Sequence, residues 1–122
     1  MGSDDKADPR VTRQPIVRNG VIIVPLSGSE SAIQVFHHTI PADLGGQRRL
    51  QSHEGYEWVY VLRGRVRLML GSTELILQPG DAAEFDTKTP HWFGNGGSRP
   101  AQYLTIFGPQ GEKVHLRARP RA

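Results

Sequence analysis

Cysteine is absent from this sequence, so neither a disulfide framework nor a thiolate metal centre can be built from it. That absence fits a cytoplasmic protein, which is the location expected. Long apolar runs are missing too. No stretch approaches the roughly 18 consecutive apolar residues of a membrane helix, and no secretory leader pattern is visible. Aromatic residues make up only 7% of the chain, and no amphipathic helical period of useful length runs through it. An autonomous helix-turn-helix is therefore not expected within these residues. Punctuation, by contrast, is abundant. Nine prolines and fourteen glycines cut a hydrophobic content of 37% into short segments, the pattern of many strands joined by tight turns.

A chain of 122 residues supports one core rather than two. The opening MGSDDKADP is polar and acidic, and residues 1–10 read as a leader or linker outside the fold. Residues 11–122 are expected to form a single domain. The net charge of +3 is dispersed, apart from Arg63, Arg65 and Arg67 in one segment and Arg117, Arg119 and Arg121 in the tail. These read as a solvated strand face and a loose terminus rather than as a nucleic-acid surface.

The segments VIIVPL (21–26), AIQVFHHTI (32–40), EWVYVL (57–62), RVRLML (65–70), ELILQ (74–78), AAEF (82–85), HWF (91–93) and QYLTIF (102–107) all read as strands. Turn signals separate them at intervals of roughly 8–12 residues, which points to an all-β barrel or sandwich with little helix. Strand side chains alternate between faces. If the chain is extended over 51–61, Gln51, His53, Gly55, Glu57, Val59 and Val61 share one face. Tyr56, Trp58, Tyr60 and Leu62 then occupy the other. Both faces are largely apolar beyond Glu57, so both call for cover, and a homodimer is expected on that ground.

His53 and Glu57 lie at the polar end of this segment. Further on, TPHWFGN places Pro90 immediately before His91, with Phe93 and Asn95 on the same parity. In a small closed barrel, inward residues from neighbouring strands converge at one mouth. Two imidazoles and a carboxylate meeting there make the 2-His-1-carboxylate set that holds divalent iron and leaves coordination positions open. No rival chemistry stands out. Ser52 alternates away from His53 and makes no dyad, and GGQRR lacks the Lys-Ser/Thr of a phosphate loop.

GGQRRLQSHEGYEWVYVLRG resembles the first motif of the cupin superfamily: a glycine, two histidines one residue apart, a glutamate soon after and a closing glycine. QPGDAAEFDTKTPHWFGN resembles the second, with its ending represented by Pro90, His91 and Asn95. The two motifs span residues 45–95, and flanking strands extend the likeness from about Val21 to Phe107. The resemblance implies a double-stranded β-helix, a jelly-roll barrel of about six to eight strands. More narrowly, HEGYEWVYVLRGRVRLML, AAEFDTKTPHWFGN and FGPQGEKVHLRARP are similar to the C-terminal cupin domain of XRE-type helix-turn-helix transcriptional regulators. In those proteins the barrel senses a small molecule and a separate helical domain binds DNA. Such a likeness implies an excised sensor domain or a free-standing relative, with nucleic acid contacted only through a helical domain outside these residues.

Carried over residue by residue, the resemblance makes His53, Glu57 and His91 metal ligands and puts Gln51 where the motif has its first histidine. A carboxamide oxygen is a weaker donor than imidazole. The site would hold Fe, Ni, Mn or Zn, or would serve as a metal-free polar pocket. Val59, Phe93 and Trp92 are expected to line it. His37 and His38 are adjacent and face opposite ways; the set Ile33, Val35, His37 and Thr39 offers His37 as a further lining residue, against a role as core or rim filler. His115, among basic residues, reads as surface, and Asn95 as a turn stabiliser. Two functions follow: a small-molecule-binding sensor, or a metal-dependent dioxygenase or isomerase.

Overall fold

The computed structural model describes residues 8–12, 14–44 and 49–108. Residues 1–7, residue 13, residues 45–48 within GGQRR, and residues 109–122, which include His115, Arg117, Arg119 and Arg121, lie outside the described residues. Among the described residues there is no helix, hence none long and apolar enough to cross a membrane. The strands are β1 (Ile16–Arg18), β2 (Val21–Pro25), β3 (Gln34–Ile40), β4 (Tyr56–Arg63), β5 (Val66–Leu70), β6 (Thr73–Leu77), β7 (Ala82–Asp86), β8 (His91–Asn95) and β9 (Ala101–Gly108). The all-β expectation holds. β1 is additional to the strands expected, and its signal is Asn19-Gly20. Both residues have positive φ, 52° and 83°, as a two-residue type I′ hairpin turn demands.

The strands form a six-stranded sheet in the order β1-β2-β3-β9-β4-β7 and a three-stranded sheet in the order β6-β5-β8. Neighbours are antiparallel throughout. Alternation supplies the core between the sheets. Val59 and Val61 of β4, Val66 and Leu68 of β5, and Ala101 and Tyr103 of β9 are buried in one cluster with Ile40 and Phe85. Each Val or Leu fully removed from water contributes about 1.5–3 kcal/mol, so these central strands fix the frame on which the site stands. Arg67 and Glu74 pair across the β5–β6 hairpin on its outer side.

Asn95 ends β8 and ties the sheets together. Its amide donates to the carbonyls of Ile40 at 3.0 Å and Arg99 at 2.8 Å, while its oxygen accepts from the backbone N–H of Gly97 at 2.8 Å. This is the turn-stabilising role read from the sequence. Its effect is to anchor the strand that starts with His91.

Candidate metal centre

β4 begins at Tyr56, not at residue 51. Gly55 precedes it with φ at 122°, a backbone state open to glycine and strained for other residues. The alternation assumed from Gln51 to Glu57 therefore does not run through one strand. His53 reaches the site by a different route. Gln51 and His91 form an isolated bridge, each N–H donating to the other's carbonyl at 3.0 and 2.9 Å. The His53 N–H donates to the Thr87 carbonyl at 2.9 Å, and the Thr87 N–H donates to the Gly55 carbonyl at 3.1 Å. Residues 51–55 are thus pinned across the turn between β7 and β8, which delivers His53 over Glu57.

The result is the expected convergence. Ligand-capable atoms of His53, Glu57 and His91 all lie within 4.8 Å of one another. The two imidazoles meet edge to face, with centroids 5.1 Å apart. Glu57 is only 2% exposed. Burial pushes its carboxyl up to about 8, and no hydrogen bond or ion pair to it is formed among the described residues. His91 is buried at the start of β8, and Nδ1 lies 2.8 Å from the Thr89 carbonyl. A carbonyl only accepts, so Nδ1 carries the proton and Nε2 keeps its lone pair. Burial pulls the His91 pKa below the ordinary histidine value, opposed by the Thr89 bond and reinforced by nearby His53. His53 stands exposed at the rim, with Nδ1 3.3 Å from the Glu54 carbonyl, which leaves its Nε2 free as well.

Gln51 is exposed and directly paired with His91, so both side chains project from the same face. Val59, 1% exposed, continues inward on the face of Glu57. Phe93 continues inward on the face of His91, its ring 6.5 Å from the imidazole. Trp92 sits on the opposite face of β8, where its ring covers Gly94; a Cβ there would collide with the indole. It is not beside the ligand-capable atoms.

His37 requires a second correction. On β3, Ile40 is buried in the core, and His38 shares its parity. The His38 ring stacks on Tyr103 at 4.6 Å, and its Nε2 lies 2.8 Å from the Thr105 hydroxyl. The interior histidine of this pair is therefore His38, and His37 points to the other face. Burial, chiefly, and His37 alongside pull the His38 pKa down to about 4. Burial and the neighbouring Glu57 carboxyl push the Tyr103 phenol up. The signal for this register was available in Phe36 and Ile40, the bulkiest apolar residues of the segment, which flank His38 at period two.

A family model described as Cupin domain matches residues 39–107. No curated protein matches the chain by sequence. Among solved structures, the cupin domain of an XRE family transcriptional regulator from Enterobacter cloacae is 21% identical. The alignment covers 73% of this chain and 96% of that one, with a TM-score of 0.61. The protein TT1209 from Thermus thermophilus is 30% identical over 73% of this chain and 83% of that one, also at 0.61. Hydroxypropylphosphonic acid epoxidase from S. wedmorenis, in complex with fosfomycin, is 18% identical over 78% of this chain and 55% of that one, at 0.68. This chain thus spans about half the length of the epoxidase. Likeness to the regulator and the epoxidase establishes shared fold. The family match runs over more than half of the chain and takes in the strands that carry Glu57 and His91, and on that ground the protein belongs to the cupin domain family.

Proposed function

We propose that this domain holds a divalent transition metal on His53, Glu57 and His91 and presents it to a small molecule in the barrel, as the ligand-sensing part of a transcriptional regulator or of a free-standing relative. The observation that carries the proposal is the state of Glu57. Its carboxyl is buried, lacks a hydrogen-bond partner among the described residues, and faces two imidazoles whose Nε2 lone pairs are free. A buried anion without a partner costs several kcal/mol, so such a group either keeps its proton or meets a cation. One anionic oxygen with two neutral nitrogens suits Fe, Mn, Ni or Zn. Gln51, on the face of His91, is assigned as a fourth and weaker donor.

A metal held there supplies Lewis acidity and open coordination positions for an oxygen-bearing ligand. The chain's own groups do the rest. The Thr89 carbonyl holds His91 in the Nδ1–H tautomer, an orienting partner of the kind ligating histidines need. The Thr87 carbonyl fixes the backbone of His53, while Val59 and Phe93 keep the inner side of the site apolar. In this reading DNA is contacted by a helix-turn-helix segment outside these residues, and the protein works in the cytoplasm. Tyr60 and Leu62 of β4 remain 45% and 37% exposed on the outer face, and we assign that face to a homodimer contact.

The rival reading is a metal-dependent dioxygenase or isomerase. It draws on the same open three-ligand set and on the fold shared with the epoxidase, which has been solved with FeII. Elemental analysis of protein purified without added metal tests the common core: stoichiometric metal that disappears in His91→Ala is expected, and metal-free wild type that also refuses added Zn(II), Ni(II) and Fe(II) sinks it. Oxygen uptake on adding a small organic compound to the iron-loaded protein would favour the enzyme. Thermal stabilisation without turnover would favour the sensor.

A further inference from the structure

The interior rings of the barrel form a closed circuit that starts and ends at the metal centre. In one direction His91 meets Phe93 at 6.5 Å, and Phe93 stacks on Tyr103 at 5.2 Å. In the other, His53 meets Phe107 at 6.1 Å, and Phe107 meets Phe36 edge-on at 5.9 Å. His38 closes the loop, 4.6 Å from Tyr103 and 6.3 Å from Phe36. These side chains come from β3, β8 and β9 and from the pinned segment before β4, so no single strand accounts for the circuit.

Burial is uneven among the inward-facing residues. Val59, Tyr103 and Thr105, on inward faces of β4 and β9, are 2% exposed or less. Phe36, His38, Phe93 and Phe107 are also on inward faces, yet each remains only half-buried. Phe36 lies directly opposite Thr105 in the ladder, and Phe107 lies directly opposite Glu57, so their faces are not in question. Half-buried rings above a sealed layer leave part of the barrel's inner wall accessible. Most of that wall is aromatic where a β-barrel would commonly use Val, Ile or Leu.

We infer that the ligand of this barrel is a flat molecule, a small aromatic or conjugated compound that carries an oxygen donor at one end and is gripped along its plane by Phe93, Phe36 and Phe107. Aromatic walls favour a planar partner over an aliphatic one of equal size, because offset stacking and edge contacts add to area burial. The inference rests on the metal reading only for the donor end.

Benzohydroxamate and cyclohexanecarbohydroxamate share their chelating head and their six-membered ring size and differ in planarity, so they isolate the claim. With the zinc-loaded domain, calorimetry is expected to give benzohydroxamate about tenfold tighter binding, equivalent to 1.4 kcal/mol. Phe93→Leu should bring the two within about twofold, and Phe36→Leu should narrow the gap separately if the first variant folds poorly. Equal affinities in the wild type, or a preference unchanged in both variants, overturn the inference while leaving the metal site standing. If zinc is not taken up, the metal reading falls, and the comparison moves to phenol against cyclohexanol on the zinc-free domain by NMR titration. Larger, saturable shifts at Phe93 and Phe36 with phenol would support the flat ligand even then; equal or absent shifts would overturn it.

Discussion

Raising the pH of the metal-free protein from 6.5 to 8 should weaken it. Glu57 has its carboxyl pushed from an ordinary 4.5 to about 8 by burial. Between those values the folded chain holds a proton that the unfolded chain has lost, so stability falls as pH rises. The contribution is complete below 4.5 and gone above 8. His38 works in the opposite direction. Its pKa drops from 6.5 to about 4, so its contribution is complete above 6.5 and is lost as pH falls towards 4. His91, also lowered, acts in the same sense as His38. Below 6.5 the opposing slopes largely cancel, whereas from 6.5 to 8 the Glu57 slope dominates. At about 1.36 kcal/mol per pH unit, reduced because Glu57 is half-titrated at pH 8 and the histidines still gain a little above 6.5, the loss over that window is about 1 kcal/mol. With a urea slope of about 2 kcal/mol per molar, the midpoint moves down by about 0.5 M. Urea unfolding followed by the fluorescence of Trp58 and Trp92, in the presence of a chelator, measures this directly. Glu57→Gln keeps the shape and removes the titration, so its midpoint should not move over the same window. A wild-type midpoint that is flat or rising, or a decline that persists in Glu57→Gln, would refute the reasoning. Zinc replaces the proton on the carboxylate, so it should rescue the wild type more at pH 8 than at 6.5.

Replacing the weak donor tests the role of Gln51: Gln51→His should tighten zinc binding by about tenfold or more, about 1.4 kcal/mol, in a competition titration, and an unchanged affinity removes residue 51 from the site. Gly55→Ala meets no backbone atom closer than 3.4 Å, so its cost is conformational, about 1–3 kcal/mol at φ 122°; a neutral result in urea unfolding would mean that the segment 51–55 is not held as described. Thr105→Val removes the hydroxyl partner of the half-buried His38 ring and should destabilise by about 1–3 kcal/mol, whereas adding His38→Phe removes both polar partners and should recover most of the loss. Light scattering should find a dimer at micromolar concentration that Tyr60→Arg with Leu62→Arg converts to a monomer; a monomeric wild type ends the homodimer proposal.

What the sequence could and could not disclose divides along the range of the interactions involved. Turn residues and β-branched runs act locally, and the strand class and most strand positions follow from them. Parity acts only along an unbroken strand. At 51–57 it pointed to the right residues through a mechanism that does not operate, because Gly55 turns the chain and alternation cannot pass through it. His53 faces Glu57 because Thr87 and His91 hold residues 51–55 by backbone hydrogen bonds from distant strands. No local period encodes that. The same limit explains His37 and His38. Both faces of β3 carry apolar residues, Val35 on one and Phe36 and Ile40 on the other, so alternation alone leaves two registers open. The decision falls to Ile40, which goes into the core and takes His38 and Phe36 with it. Trp92 follows from the same rule read correctly: once His91 faces inward, its neighbour cannot. Functional placement here depends on which large side chain wins the core, and that competition is settled between strands far apart in the chain. The Thr105→Val and His38→Phe pair examines that contest at a single ladder position. If His38 were a passenger with no claim on the interior, the double variant would be no better than the single, and the aromatic circuit built through His38 would lose its closing member.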